Sequence, residues 1–157
     1  MRRRIAAPIN EKRSIALKLT VIARQMRQNF DRSVQETELT RAQWALVAVV
    51  AGNPGATQRS IAEALEVREI TAGRLIDRLC ESGYLKRAEN PNDRRAYCVY
   101  LAAGAQPMLL EKLEDFAKMY ESEIFAGFDD QDLDKLDTLL DSIAHDLVGR
   151  NVGSSAK

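Results

Sequence analysis

The hydrophobic period of this chain changes twice, and those two changes confine what it can fold into. Up to Gly83 apolar residues recur at steps of three and four, as in helices with one buried face. From Tyr84 to Leu101 the period falls to two, as in strands, and beyond Leu101 helical spacing returns. One short β segment set inside a helical chain excludes large sheets and barrels. At 157 residues the chain can bury a single core without a disulfide or metal staple. No apolar run approaches the roughly 18 residues of a membrane span. The basic start Met1-Arg2-Arg3-Arg4 is not followed by an apolar stretch and a small-residue cleavage site. The expectation is a cytoplasmic protein without a membrane partner.

Ile15, Leu19, Ile22, Met26 and Phe30 predict a helix over about 12–35. Thr40 stands three before Gln43, a capping box that starts a helix over 40–52, with Leu39 and Trp44 at the staple positions around it. Gly52-Asn53-Pro54-Gly55 stops that helix. Thr57 then caps a short helix whose inner face is Ile61, Ala62 and Leu65. A helix over 68–82 follows, with Ala72, Leu75, Ile76 and Leu79 inward and Gly83 just past its end. Residues 84–88 and 96–101 read as the strands of a β-hairpin, joined by the polar loop 89–95. Downstream, Leu109, Leu113, Phe116, Tyr120 and Ile124 predict one long helix closed by Gly127. Asp129 caps the last helix, with Phe128 and Leu133 as its staple and Leu133, Leu136, Leu139, Leu140, Ile143 and Leu147 as its inner face. The small and polar residues from Gly149 onward read as a frayed tail.

Charge is polarised although the total is zero. Residues 1–35 hold nine Lys/Arg against two Asp/Glu, and residues 96–157 hold five against twelve. Neutrality argues against coating nucleic acid indiscriminately but leaves room for a local basic face. The two ends could attract each other, or each could be a solvated helix face. Enzymatic signals are weak. His145 is the only histidine and lies in the last helix, away from any serine or cysteine motif. The acidic run 129–134 lacks the glycine and distal glutamate of a calcium loop, and acidic residues suit a helix N-terminus. There is no glycine-rich phosphate loop, and no cofactor is expected. Cys80 and Cys98 have no metal-ligand spacing. Cys80, beside an inner helix face, is expected to pack as a small hydrophobe, and Cys98, in a strand, to be more open. Neither has the exposed, cationic setting of a reactive thiol.

The middle of the chain carries the chemistry. Two short helices across a tight turn, the second amphipathic and followed by a basic-tipped hairpin, describe a winged helix-turn-helix. Thr71, Arg74 and Arg78 fall on one stripe of the second helix, opposite its apolar face. Arginine there can donate bidentately to guanine or hold a phosphate, and threonine can touch a thymine methyl. The competing reading is an ordinary solvated helix face with Arg74–Asp77 or Arg78–Glu81 pairing. Arg94 and Arg95 at the hairpin tip can reach a minor groove that the helix cannot, with Asp93 placed to hold one guanidinium.

Residues 39–44 (Leu-Thr-Arg-Ala-Gln-Trp), 57–62 (Thr-Gln-Arg-Ser-Ile-Ala) and 70–79 (Ile-Thr-Ala-Gly-Arg-Leu-Ile-Asp-Arg-Leu) resemble the MarR family of transcriptional regulators. Gly83-Tyr84-Leu85 and Asn90-Pro91-Asn92-Asp93-Arg94-Arg95 extend the likeness, which is greatest to the SlyA-like branch. The resemblance implies a mostly α fold with a small β-hairpin. It would have a winged helix-turn-helix lobe at 39–101, a helical dimerisation region from 1–38 and 102–149, and a flexible tail at 150–157. It implies a homodimer on pseudo-palindromic, inverted-repeat double-stranded DNA, mostly repressing, and in many members a small phenolic or aromatic effector. Carried over by position, Thr71 and Arg74 read bases and Arg78 holds a phosphate. Thr57, Gln58 and Ser60 set the preceding helix against phosphate. Arg95 enters the minor groove, with Arg94 on phosphate beside it. Ile22, Met26, Phe30 and Trp44 are candidates for lining an effector pocket. The Glu69-Ile70 pair departs from the small polar residues many relatives carry there. The alternative function is a winged-helix protein-interaction module that has lost DNA binding, which steep salt dependence would separate from a DNA binder.

Overall fold

The computed structural model describes residues 10–153, with side chains through Leu147. The basic start at 1–9 and the last tail residues, 154–157, lie outside the described residues. The chain divides into two compact units, the first ending at Phe116 and the second beginning at Ala117.

The first unit opens with α1, Glu11–Ser33, whose cap Asn10 accepts from the Arg13 backbone N–H at 2.9 Å. None of its residues is fully buried, and Ile15, Leu17 and Ile22 stand exposed. Then comes α2, Arg41–Gly52, with the expected capping box: Gln43 N donates to Thr40 Oγ1, and Thr40 N to Gln43 Oε1. Leu39 and Trp44, the staple pair, both lie in the core. A two-residue strand, β1 (Ala56–Thr57), runs directly into α3, Gln58–Ala64. Helix α4 follows, Glu69–Glu81. Strands β2, Leu85–Asn90, and β3, Asp93–Leu101, pair antiparallel, and β1 adds to the far side of β3, giving the order β1-β3-β2.

The sheet corrects two expectations. The hairpin is part of a three-stranded sheet, because β1 pairs Ala56 with Val99 and Thr57 with Cys98. Two residues are too few to show any period, so β1 is invisible in the sequence pattern. The polar loop 89–95 is mostly strand, leaving only Pro91 and Asn92 between Asn90 and Asp93. A strand with both faces in solvent has no apolar alternation to betray it.

The core of this unit collects Leu46, Val47 and Val50 from α2, Ile61 and Ala62 from α3, and Ala72, Ile76 and Leu79 from α4. Leu85 and Val99 close it from the sheet, and Leu109 and Phe116 from α5, Gln106–Met119. Leu75, expected on the inner face of α4, is only partly buried. Each fully buried aliphatic side chain contributes roughly 1.5–3 kcal/mol, so this core fixes the angle at which α4 is displayed.

In the second unit the predicted single helix departs from α geometry. Residues Tyr120–Ile124 form a π-helical turn, with Phe125 N bonding back five residues to Tyr120 O. Asp129 caps α6, Asp130–Gly153, as expected, accepting from Asp132 N at 2.8 Å. That helix continues past Gly149, where fraying was expected. Its anticipated inner face is open: Leu139, Leu140, Ile143 and Leu147 are all exposed. Among the described residues, no helix is long and apolar enough to cross a membrane.

Candidate nucleic-acid interface

Helix α4 is held from beneath and displayed outward. Ala72, Ile76 and Leu79 are fully buried, while Thr71, Arg74 and Arg78 are exposed on the opposite stripe. The start of α4 has no side-chain cap of its own. Gln58 Nε2 reaches across from α3 instead and donates to Glu69 O at 3.1 Å. Gly73 makes room for it: a Cβ there would meet Gln58 Nε2 at 2.9 Å. Gln58 is thus a brace between the two helices, a role its sequence position did not suggest.

Neither ion pair of the competing reading, Arg74–Asp77 or Arg78–Glu81, forms among the described residues. Asp77 accepts from Arg87 Nη2 of β2 at 2.6 Å, so the helix is strapped to the wing rather than paired with its own Arg74. Among the described residues, the guanidinium groups of Arg74 and Arg78 have no carboxylate partner. Arg87 is the residue that sequence reasoning missed. It sits in a stretch read only as strand, and its partner is ten positions away on another element.

At the start of α3, Thr57 and Ser60 form a reciprocal capping box: Ser60 N donates to Thr57 Oγ1 and Thr57 N to Ser60 Oγ. Both hydroxyls are therefore held in place at this corner. Arg59 beside them pairs with Glu63 at 3.1 Å, and that hydrogen bond raises its already high pKa.

The wing tip is built by two side-chain-capped turns. Asn92 N donates to Asn90 Oδ1 at 3.0 Å, and Arg95 N to Asp93 Oδ1 at 2.9 Å. Asp93 was expected to hold a guanidinium, but its carboxylate takes this backbone N–H instead. Arg94 and Arg95 are exposed and, among the described residues, their guanidinium groups lack a carboxylate partner. Between wing and helices lies a groove of about 390 Å³, with Thr57, Arg59 and Glu69 on one wall and Asn90, Arg95 and Tyr97 on the other.

The four candidate effector residues are not alike. Phe30 and Trp44 are joined through Phe116, with ring centroids 4.9 and 5.1 Å from it. Trp44 is 2% exposed, and its Nε1 donates to Thr37 Oγ1 at 3.0 Å. Met26 is half-buried, whereas Ile22 is 49% exposed on α1. The cysteines reverse their expected order: Cys98 is buried, and Cys80 is partly open. Burial raises the Cys80 pKa, outweighing the opposing pull of Arg87.

Residues 37–96 match the MarR family model. Over 113 residues the chain is 29% identical to a proposed transcriptional regulatory protein for the hcr operon of Thauera aromatica, covering 71% of this chain and 67% of that protein. Its fold is similar to that of a mutant MarR from E. coli complexed with operator DNA, at TM-score 0.72 and 19% identity, over 88% of this chain and 99% of that one. It is similar also to BpsR of Bordetella bronchiseptica, whose DNA binding is regulated by 6-hydroxynicotinic acid, at TM-score 0.68 and 20% identity, over 83% and 98% of the two chains. The family is one of transcriptional regulators and not of enzymes. Residues 37–96, which match the MarR family model, form a winged helix, and the chain shares the fold of the MarR structures.

Proposed function

We propose that this protein is a SlyA-like transcriptional regulator of the cytoplasm that binds an inverted-repeat operator as a homodimer. Its usual action is repression, and a small phenolic or aromatic effector lowers its hold on DNA. The observation that carries the DNA reading is the set of exposed guanidinium groups, Arg74, Arg78, Arg94 and Arg95, that have no carboxylate partner among the described residues and lie on one winged helix. In this reading α4 enters a major groove, Thr71 and Arg74 meet base edges, and Arg78 meets a phosphate. Thr57 and Ser60 face a phosphate at the corner that Gln58 braces, and these contacts position rather than specify. Arg95 enters the minor groove, with Arg94 on the adjacent phosphate.

Operator DNA on a protein of the same fold supports this reading, as does ligand control of another. The wing sequence Asn90-Pro91-Asn92-Asp93-Arg94-Arg95 supports the SlyA-like assignment. The open apolar stripes of α1 and α6 support a dimer, since monomers rarely leave such faces in water. Ile22, Met26, Phe30 and Trp44 are the residues proposed to line the effector site, which would open beside the ring cluster that Phe30 and Trp44 form on Phe116. Selection from a randomised duplex library tests the proposal. Enrichment of an inverted repeat with half-sites about one helical turn apart, roughly 34 Å, is the expected result. Absence of any enriched sequence contradicts it. If Trp44 lines the effector site, its emission changes on titration with a salicylate-like compound in step with loss of operator binding.

A further inference from the structure

The second residue of helix α4 is an isoleucine that burial does not explain. Ile70 is 62% exposed, the most open large apolar side chain among the described residues of the first unit. The core beneath α4 is complete without it. A β-branched residue also gains nothing from helix propensity at such a position. Ile70 lies one turn before Arg74, so the two side chains sit one above the other on one face, beside the exposed Thr71. The next acidic group along this face, Asp77, is already paired with Arg87. An apolar tip therefore stands next to an unpaired guanidinium on the exposed side of the helix.

We propose that Ile70 is a specificity-determining residue that reads the C5-methyl of a thymine, in the base pair beside the one Arg74 contacts. The inference rests on the DNA-binding function proposed above. In the major groove the thymine methyl is the apolar group that unmodified base edges present. A cytosine in its place lacks that methyl, so Ile70 selects for thymine by apolar contact. Arg74 beside it supplies the hydrogen bonds that isoleucine cannot.

The test uses the full-length protein and the duplex it selects from a randomised library. Each thymine is replaced in turn by deoxyuridine, symmetrically in both half-sites, which removes one methyl and nothing else. Wild type should lose about fourfold in affinity per half-site at one thymine, or about fifteenfold overall, the value of burying one methyl at each site. Ile70→Ala should bind more weakly and lose that deoxyuridine penalty, whereas Thr71→Ser should keep it. Ile70→Val should retain part of it. A selected operator without thymine under α4 overturns the proposal. So does wild-type affinity that no deoxyuridine changes, or a penalty that persists in Ile70→Ala, and in each case sequence-specific binding stands. Failure to bind any duplex overturns the DNA reading itself along with this inference.

Discussion

Asp77 stands between Arg74 and Arg78 in sequence, yet its carboxylate turns to Arg87 on the neighbouring strand. One residue choice thereby leaves two arginines without a carboxylate partner among the described residues and ties α4 to the wing. The arginines should then fail in different ways. Arg74→Ala should cost about 1–3 kcal/mol and relax preference at one symmetric position per half-site. Arg95→Ala should weaken binding and remove sensitivity to flanking A·T content while the central preference survives. Competition binding against an operator library at fixed salt measures both, and equal loss for all sequences in both variants would contradict these roles. Cys80 makes a separate residue-scale prediction. Burial raises its pKa, so alkylation of the native protein should accelerate only above the pH at which an ordinary thiol ionises. Above that pH the unfolded chain ionises first, so this group's contribution to stability is full below the unfolded pKa and is lost as pH rises through the folded one. An alkylation midpoint at or below the ordinary thiol value would mark Cys80 as activated instead.

Helices α3 and α4 end in the same way with different residues. After α4, Gly83 takes φ +77°, with Gly83 N on Cys80 O and Tyr84 N on Leu79 O. After α3 the left-handed position is Glu66, at φ +54°, with Glu66 N on Glu63 O and Val67 N on Ala62 O. Only glycine adopts this region without strain, and other L-residues lose about 1–2 kcal/mol there. Glu66→Gly should therefore stabilise the protein by about 0.5–1 kcal/mol, the strain relieved less the entropy glycine adds to the unfolded chain. Gly83→Ala should destabilise it by about 1–2 kcal/mol. Thermal unfolding of both variants checks the pair, and shifts of the same sign would contradict it. These elements also mark where the sequence was legible. Capping boxes, helix stops and the buried stripe of α4 are local chemistry, so Thr40, Thr57 and Gly83 could be read directly. The β1 strand, the Gln58 brace and the Asp77–Arg87 strap were not legible, because each joins residues whose proximity depends on the finished core. Thr71, Arg74, Arg78, Arg94 and Arg95 could be located in the sequence, but the absence of carboxylate partners could not.

At the scale of the whole molecule, the open leucines and isoleucines of α1 and α6 ask for a second chain. Light scattering at micromolar concentration should return the mass of a dimer, and a stable folded monomer would contradict the subunit arrangement proposed here. In the proposed dimer two copies carry two winged helices, and with them eight exposed arginines that have no carboxylate partner among the described residues. The central claim is that these meet DNA, Arg78 and Arg94 of each copy on phosphates, and the salt dependence of operator affinity tests it most directly. With four phosphates neutralised, two by each copy, log K should fall linearly with log salt concentration at a slope of about −4 or steeper. Substituting Arg78 or Arg94 in both copies should make that slope shallower by about 2. An affinity that stays flat as salt rises, with those substitutions leaving it unchanged, would contradict the account.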